Sequence, residues 1–238
     1  MKSDLPKVLH TFLGRPLISH VLDSLEKAGV DDIYVIVGYR GNLVIEAVKD
    51  RAKPVWQREQ LGTGHAVMQA EAALAGFSGR IIVACGDVPL VRPETFRMLI
   101  AESEHDDSKA AVLTMTLEDP SGYGRVKKDA AGSFIKIVEE KDATSEEKEI
   151  HEVNTGTYIF DKELLFEGLR RINTDNAQGE YYLPDVLTYA RYSGFTVKTI
   201  LLGDYREGSG VNTKEELQEL EDYWKKSEGG GPIWATVC

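Results

Sequence analysis

Short strand-like runs alternate with helical runs through the first half of the chain, and this alternation limits the possible folds more than any other sequence feature. Residues 33–37 and 81–85 are apolar runs of strand length, whereas residues 17–25 and 64–75 have the spacing of helices. Strands that alternate with helices form βαβ units, in which the strands run parallel. We therefore predict an α/β fold with a mostly parallel sheet.

The second half of the chain has a different pattern. Its strand-like runs are separated by turns and charged segments, so we expect an α+β arrangement there. The predicted strands cover residues 110–117, 134–138, 153–160 and 197–202, and the predicted helices cover residues 182–192 and 213–224. The final residues have no periodicity. We predict one domain over residues 1–224 and a disordered tail over residues 225–238.

Charge and composition disfavour several classes of protein. The 238 residues include 28 Lys and Arg against 39 Asp and Glu, and a formal net charge of -11 disfavours nucleic acid as a partner. The sequence contains no apolar stretch of membrane-spanning length and no secretory signal at its start. Cys85 and Cys238, the two cysteines, suggest neither a disulfide framework nor a zinc cluster. We expect a soluble cytoplasmic protein with no membrane partner.

The segment from Val83 to Leu90 carries the clearest sign of a functional site. An apolar strand runs directly into Gly86 and Asp87, so the carboxylate is held at the carboxyl end of a strand. Ligands of open α/β sheets bind beyond these ends, where a carboxylate can reach a metal ion or a phosphate. The structural alternative is that Asp87 caps the helix that follows Pro93.

Two further segments suit a phosphate or a base, although each also has a purely structural interpretation. Residues 61–66, LGTGHA, combine a helix start with glycines that allow a ligand close to the backbone, or Thr63 simply caps the helix. Lys7 follows a rigid proline and suits a phosphate as a point charge, or it is a solvated surface lysine. His65 has no identifiable carboxylate partner, so we assign it to packing or to the surface.

Polar residues near later strands are candidates for binding sugar hydroxyls. Glu139 and Glu140 follow one predicted strand and Asn154 lies in a turn within the next, although charged pairs of this kind are usually just exposed. Before the last helix, Asn212 or Thr213 caps the helix, or the Asn212 amide oxygen completes a magnesium shell. Residues 179–182 either pack in the core or line a sugar pocket.

These segments, in this order, resemble the pyrophosphorylase (uridyltransferase) domain of the bifunctional N-acetylglucosamine-1-phosphate uridyltransferase and glucosamine-1-phosphate acetyltransferase family, which makes UDP-N-acetylglucosamine for bacterial envelopes. The resemblance extends from Met1 to about Asp222. It is carried by SDLPKVLH at 3–10, EQLGTGHA at 59–66, GDVPL at 86–90, GYGR at 122–125, VEEKD at 138–142, EVNTG at 152–156, NAQGEYY at 176–182 and GVN at 210–212. The family implies the Rossmann-like, GT-A-like fold of nucleotide-diphospho-sugar transferases.

The resemblance implies a role for each matching residue. Asp87 and Asn212 match the magnesium ligands and Lys7 matches the phosphate-contacting lysine, so Lys7 and Asp87 are the implied catalytic residues. The implied substrate-binding residues are Gln57, Gly62 and Thr63 for uracil, Gly124, Glu139 and Asn154 for N-acetylglucosamine, and Cys85 and Gly86 beside the metal ligand.

The implied reaction is an in-line attack by the phosphate of N-acetylglucosamine 1-phosphate on the α-phosphorus of UTP, which releases pyrophosphate. It needs no protein nucleophile, because magnesium and cationic side chains stabilise charge on the phosphoryl oxygens. Magnesium takes one or two oxygen ligands from the protein and shares its other positions between water and phosphate. Two protein ligands therefore suffice.

The chain departs from the family pattern near both ends. The family opens with an apolar strand and a glycine-rich loop, LAAGxGTRM, that carries a catalytic arginine, and Met1 aligns with the last residue of that motif. Loss of a central parallel strand leaves neighbouring backbone groups unpaired and an apolar face exposed, so we expect weak activity or marginal folding. No hexapeptide repeat follows Trp224. Because the repeat domain is the family's main trimer contact, we expect a monomer without acetyl transfer.

Two alternative functions remain open. One is a nucleotidyltransferase for another base or sugar phosphate, which the sequence EQLGTGHA disfavours. The other is a module that binds a sugar nucleotide without turnover. A dinucleotide-dependent oxidoreductase is disfavoured because no GxGxxG turn follows a strand.

Overall fold

A computed structural model describes residues 4–104 and 108–227 of the chain. Within these residues the strands are β1 (Thr11–Phe12), β2 (Arg15–Pro16), β3 (Tyr34–Val37), β4 (Lys53–Trp56), β5 (Arg80–Val83), β6 (Ala110–Thr116), β7 (Arg125–Lys128), β8 (Phe134–Val138), β9 (Glu152–Asp161) and β10 (Val197–Leu201). The α-helices are α1 (Leu17–Lys27), α2 (Gly41–Val48), α3 (Thr63–Met68), α4 (Pro93–Glu104), α5 (Ser145–Lys148), α6 (Lys162–Leu169), α7 (Asp185–Tyr192) and α8 (Lys214–Ser227).

The largest sheet is mixed, because its central strand runs antiparallel to its neighbours. The strand order is β10-β6-β9-β7-β8, and β5 also pairs with β9. Strand β9 is antiparallel to β5, β6 and β7, whereas β6 and β10 are parallel. The α/β class is confirmed, but the expectation of mostly parallel pairing is wrong for this sheet. The chain reaches β9 from the β7–β8 hairpin and the short helix α5, a connection that does not require a parallel crossover.

Strand β9 changes its partner along one edge, and the candidate site lies at this change. Residues 158–161 pair with β5, whereas Val153 pairs with the first residue of β7. Gly156 lies between these two parts with a φ of 78°, a left-handed conformation that glycine adopts readily. The carboxyl end of β5 and the start of β7 therefore meet beside the same short stretch of β9.

The main core lies between the large sheet and helices α6 and α7. Leu165 and Leu169 of α6 pack with Val186 and Leu187 of α7 and with Phe160 of β9 in one buried cluster. Helix α6 was not predicted, because it follows β9 without an intervening turn; Asp161 ends the strand and caps the helix by accepting a hydrogen bond from the Leu164 N–H. Among the described residues, no helix has the length and apolar character needed to span a membrane.

A long groove separates a second, smaller sheet from the large one. Strand β3 pairs in parallel with β4, and β5 pairs with β9, but β3 and β5 are not paired with each other. The groove between them has a volume of about 1120 Å³, and its lining includes Val35, Val37, Ile81 and Val83. The groove therefore lies between two strands that are not paired with each other, and these apolar side chains are buried or half-buried.

Several boundaries differ from the predictions at turns and helix ends. The turn at residues 121–125 leads into the unpredicted strand β7, whose sequence RVKK has no apolar run. Helix α3 ends at Met68, and tight turns with bonds such as Glu71 N–H to Met68 C=O continue the chain. Helix α8 extends to Ser227, so residues 225–227 of the predicted tail are helical. The rest of that tail lies outside the described residues.

Helix α8 is attached to the body of the protein through Trp224. This side chain is 7% exposed and meets Phe12 edge to face, with the ring centroids 6.3 Å apart. Leu17, Leu90 and Val211 belong to the same cluster. The cluster therefore joins the start of the described chain and its last helix to the loop that follows Asp87.

Replacing Trp224 with alanine should lower the free energy of unfolding by about 3–5 kcal/mol, the usual cost of removing a buried large aromatic side chain. Tyr192→Ala is the matched control, because Tyr192 is 81% exposed; its change should be about 0.5 kcal/mol or less. Urea denaturation followed by circular dichroism measures both values. Equal losses in the two variants would show that α8 does not depend on Trp224 for docking.

Candidate active site

Lys7, Asp87 and Asn212 meet in the structure although they are far apart in the sequence. The Lys7 ammonium forms an ion pair with the Asp87 carboxylate and donates a hydrogen bond of 2.5 Å to Asn212 Oδ1. Lys7 begins a short 3-10 turn, Asp87 follows β5, and Asn212 precedes α8. The structure thus brings together the three residues to which the resemblance assigns metal and phosphate binding.

Backbone and capping contacts hold Asn212 beside Asp87. The Val211 N–H donates a hydrogen bond of 3.0 Å to the Asp87 carbonyl oxygen. Thr213 is the residue that caps α8, because its hydroxyl accepts a bond of 3.0 Å from the Glu216 N–H. The Glu216 carboxylate in turn accepts a bond from the Asn212 N–H. Capping therefore leaves the Asn212 side chain facing Lys7, and the Asp87 carboxylate pairs with Lys7 rather than capping α4.

The oxygens of Asp87 and Asn212 suit a divalent cation. Both lie in contact with one ammonium nitrogen, so they already converge on a single positive centre. A carboxylate and an amide oxygen are hard ligands of the kind that Mg²⁺ takes from proteins, with water and phosphate at its other positions. The described residues contain no group of three or more His, Cys, Asp and Glu side chains that could hold a metal ion.

Gln57 and Gly62 form a tight wall with the loop before α7. Gln57 Nε2 donates a hydrogen bond of 3.1 Å to the Gly62 carbonyl oxygen and lies 3.1 Å from His65 Nδ1. Gly62 has a φ of 106°, and a Cβ there would lie 2.7 Å from the Tyr181 carbonyl oxygen. Glycine is therefore required at this position by both conformation and space. His65 has amide neighbours, Gln57 and Gln69, in agreement with its assignment to packing.

Thr63 does not cap helix α3, which was the structural alternative for this residue. The cap position is Gly62, and Thr63 is the first helical residue. Its hydroxyl accepts a hydrogen bond of 3.1 Å from the Leu183 N–H. Thr63 also lines the groove between β3 and β5, together with Lys7, Cys85 and Gly86. These residues supply polar atoms to a groove whose lining is otherwise largely apolar.

Gly124, Glu139 and Asn154 meet at the junction of β7, β8 and β9. The Asn154 N–H donates a hydrogen bond of 2.8 Å to the Gly124 carbonyl oxygen. A Cβ on Gly124 would lie 3.1 Å from Glu139 Oε1. The Asn154 side chain is held on both sides, because Nδ2 donates to the Tyr158 hydroxyl at 2.7 Å and Oδ1 accepts from the Gly156 N–H at 3.0 Å. The structure therefore groups the three residues to which the resemblance assigns the sugar.

Cys85 links the sugar-side residues to the strand that carries Asp87. Its sulfur lies 3.5 Å from the Gly156 carbonyl oxygen, and a Cβ on Gly156 would lie 2.7 Å from that sulfur. Burial raises the pKa of the Cys85 thiol to about 12, so the thiol stays protonated and is not a nucleophile. Gly86 packs against Val8, with 3.2 Å between a Cβ there and Val8 Cγ1. The close approach that Gly86 permits here is thus between two segments of the chain.

Two adjacent carboxylates at this junction have opposite electrostatic environments. Burial raises the pKa of Glu139, and the nearby charges of Asp185 and Asp142 raise it further. A hydrogen bond from the Arg125 side chain lowers the pKa of Glu140. Two adjacent carboxyl groups whose pKa values are shifted in opposite directions are an arrangement often found at functional sites.

Sequence reasoning did not single out two tyrosines that border the site. Tyr158 is buried behind Asn154, and burial raises its pKa well above the ordinary value. Burial also raises the pKa of Tyr123, and the nearby charges of Glu216 and Asp87 raise it further. In the sequence, Tyr158 looks like an ordinary residue of an apolar strand and Tyr123 like part of a turn. Only their tertiary neighbours distinguish them.

The fold and the converging lysine, carboxylate and amide define a class of protein that transfers nucleotides. A family model described as nucleotidyl transferase matches residues 2–225. The chain belongs to this family.

Two curated relatives of the chain share one name. "Bifunctional protein GlmU" of Halalkalibacterium halodurans is 46% identical over 226 residues, which are 95% of this chain and 50% of that protein. The protein of the same name from Listeria monocytogenes serotype 4a is 45% identical over 219 residues, 92% of this chain and 48% of that protein. The family resemblance drawn from the sequence is confirmed. The chain spans about half the length of the curated relatives it matches.

Two solved structures share the fold at lower identity. A UDP-glucose pyrophosphorylase complexed with UDP-glucose superposes with a TM-score of 0.74 at 17% identity, covering 93% of this chain and 91% of that one. HddC from Yersinia pseudotuberculosis, complexed with GMP-PN, gives a TM-score of 0.67 at 21% identity, covering 94% and 92%. The expected fold of nucleotide-sugar pyrophosphorylases is thereby confirmed.

Replacing Glu139 with glutamine should stabilise the fold at neutral pH. Because the folded-state pKa is raised above the ordinary 4.5, the contribution of Glu139 to stability is greatest below that value and declines as the pH rises through the folded pKa. Glutamine cannot ionise. The stability of the variant relative to wild type should therefore increase with pH and level off above the folded pKa.

Urea denaturation at a series of pH values measures this difference. Glu118→Gln is the control, because Glu118 is exposed and lies outside this carboxylate group. A stability difference for Glu139→Gln that does not change with pH would show that Glu139 ionises in the folded protein as easily as in the unfolded chain.

Proposed function

We propose that this chain transfers a uridylyl group from UTP to N-acetylglucosamine 1-phosphate, which gives UDP-N-acetylglucosamine and pyrophosphate. The relatives named as bifunctional protein GlmU support the proposal. The structural observation that carries it is the convergence of Lys7, Asp87 and Asn212 at the carboxyl end of β5. Because the chain spans about half of each relative, the proposal includes uridylyl transfer and not acetyl transfer.

In this reaction a phosphate oxygen of the sugar phosphate attacks the α-phosphorus of UTP. A bond forms between them as the bond from the α-phosphorus to the bridging oxygen of pyrophosphate breaks. Both substrates are anionic, so the protein must position them and offset their charge. Lys7 supplies a positive charge held in place by two partners. No protein nucleophile is required, which agrees with the protonated state of Cys85.

Asp87 and Asn212 are the residues that would hold a divalent cation, which we propose is Mg²⁺. When bound, Mg²⁺ offsets the negative charge on the phosphoryl oxygens. Asp87 supplies one negative charge and Asn212 a neutral oxygen. With Mg²⁺ bound, the net charge of the site would therefore be positive, which favours phosphate. Lys7 is close enough to both side chains for its ammonium to contact a phosphate bound beside them.

Recognition of the two substrates is divided between separate walls of the site. We assign uracil to Gln57, Gly62 and Thr63, whose backbone is clamped against the loop before α7 by bonds such as that of 2.7 Å from the Gly64 N–H to the Tyr181 carbonyl. We assign the N-acetylglucosamine moiety to Gly124, Glu139 and Asn154. A Glu139 carboxyl with a raised pKa can accept a hydrogen bond from a sugar hydroxyl or, when protonated, donate one.

The proposal also gives the protein a cellular setting. The family resemblance implies that UDP-N-acetylglucosamine serves as a precursor of peptidoglycan and lipopolysaccharide. We therefore place the chain in cell-envelope synthesis, in the cytoplasm. Its partners are the two small-molecule substrates. We propose that the chain is a monomer.

Two assays on the wild-type chain test the function. Isothermal titration with UDP-N-acetylglucosamine in the presence of Mg²⁺ measures binding, and release of pyrophosphate from UTP and N-acetylglucosamine 1-phosphate measures turnover. Binding with release supports the proposal. Binding without release identifies a sugar-nucleotide-binding module. Release with glucose 1-phosphate, or with another nucleoside triphosphate, in preference to the proposed pair would assign a different nucleotidyltransferase.

Replacing Asp87 with alanine should lower the rate of pyrophosphate release by about 100-fold or more, because the variant lacks the carboxylate that would hold Mg²⁺ beside the reacting phosphate. The free energy of unfolding should fall by only about 1 kcal/mol or less, because the ion pair with Lys7 is partly exposed. If the wild-type chain binds UDP-N-acetylglucosamine without releasing pyrophosphate, a different quantity is compared. This is the increase in affinity for UDP-N-acetylglucosamine that Mg²⁺ produces in the wild-type chain and in Asp87→Ala.

Asp23→Ala is the matched control for this experiment. The Asp23 side chain is 20% exposed, close to the 18% of Asp87, and it also forms ion pairs, with Arg15 and Arg51. It lies on α1, away from the candidate site, so the variant should keep the wild-type rate. An Asp87→Ala protein that folds and retains full Mg²⁺-dependent activity would falsify the assigned role.

A further inference from the structure

Arg125 is an unusually buried charged residue next to the proposed sugar site. Its side chain is 2% exposed, although arginine is almost never fully buried unless it is paired. It is the first residue of β7 and directly follows Gly124. Nothing in the proposed mechanism uses its charge, so its burial needs another explanation.

The guanidinium of Arg125 fastens the turn before β7 to the segment after β8. One terminal nitrogen donates to the Tyr123 carbonyl oxygen, and the other forms an ion pair of 2.8 Å with Glu140 Oε2. The same Glu140 oxygen accepts a hydrogen bond of 3.2 Å from the Gly122 N–H. The turn is therefore held at two points, by the buried Arg125 side chain and by the partly exposed Glu140 carboxylate.

This pair lies beside two of the residues assigned to the sugar. Gly124 lies between Tyr123 and Arg125 in the sequence, and Glu139 precedes Glu140. The two sugar-side residues are close to each other, because a Cβ on Gly124 would lie 3.1 Å from Glu139 Oε1. A shift of the turn or of the segment after β8 must therefore change the distance between the Gly124 backbone and the Glu139 carboxylate.

The burial of Arg125 is energetically unfavourable, so a contribution to the stability of the fold does not explain it. Its Nε atom is buried and has no hydrogen-bond partner among the residues that the structure describes. An unsatisfied buried donor is unfavourable, and departures of this kind are expected where function constrains the structure.

We infer that Arg125, acting through Glu140, is a positioning residue that sets the sugar pocket between Gly124 and Glu139. This inference rests on the proposed function. The planar guanidinium is needed because its two nitrogens reach two separate oxygens at once, which a lysine ammonium cannot reproduce with the same geometry. Arg125 acts on the sugar and not on uracil, since the uracil residues lie on a different wall of the site.

The test compares the affinities of two ligands, UDP-N-acetylglucosamine and UDP, by isothermal titration with Mg²⁺. The ratio of these affinities isolates the contribution of the sugar, which a general loss of stability does not alter. In Arg125→Met and Arg125→Lys the ratio should fall by about tenfold, the loss expected for one misplaced charge-assisted hydrogen bond. UDP affinity should stay at the wild-type value.

Glu140→Gln should lower the same ratio, and the double variant Arg125→Met/Glu140→Gln should lose no more than Arg125→Met alone, because the two residues act as a unit. Lys128→Met is the matched control: it removes a cation of β7 that is paired with Glu152 at 2.7 Å, and the ratio should be unchanged. Circular dichroism confirms that each variant is folded, and Glu140→Gln provides the test if neither Arg125 variant folds.

The outcomes separate this inference from the function on which it rests. If the wild-type chain binds UDP-N-acetylglucosamine no more tightly than UDP, the proposed sugar site is wrong and the inference is overturned with it. If the wild-type chain distinguishes the two ligands and the folded Arg125 and Glu140 variants distinguish them equally well, the inference alone is overturned. An equal fall of the affinity ratio in Lys128→Met would also overturn the inference, because the loss of any cation from β7 would then have the same effect.

Discussion

The contact of the Lys7 ammonium with Asp87 and Asn212 is the interaction on which the organisation of the site depends. It joins residues separated by up to 205 positions in the sequence. The backbone bond from Val211 to the Asp87 carbonyl places the loop before α8 next to the end of β5, and the Trp224 cluster holds α8 behind that loop. Thr213 caps α8, and the Asn212 side-chain oxygen accepts a hydrogen bond from Lys7. The capped start of α8 and the long-range contacts of Lys7 thus meet at Asn212.

The change of partner along β9 explains why the residues assigned to the cation lie close to those assigned to the sugar. A ten-residue strand is long enough to pair with β5 at one end and with β7 at the other. The left-handed conformation of Gly156 and the fixed side chain of Asn154 lie between these two parts. Cys85, which precedes Gly86 and Asp87, packs against this stretch. The cation side and the sugar side of the site are therefore supported by the same strand.

The site also contains arrangements that oppose stability. Burial, and then the nearby charges of Asp185 and Asp142, raise the pKa of Glu139, and Arg125 is buried with an unsatisfied nitrogen. Costs of this kind are tolerated where geometry serves binding rather than packing. Their concentration around the assigned residues supports the proposed location of the site.

The sequence by itself determined the α/β class, most of the helices and strands, and the family, because helical spacing, β-branched runs and ordered motifs are local properties. It also named each residue of the proposed site through the resemblance. Tertiary structure alone decided the antiparallel setting of β9, the strand RVKK and helix α6, since strand direction depends on distant partners and short elements lack a strong local signal. It also showed that Lys7 contacts Asp87 and Asn212, that Thr63 does not cap α3 and that Thr213 caps α8. The sequence could not show this, because a lysine, a threonine or an asparagine has the same local appearance whether its partner is water, a helix end or a side chain 205 residues away.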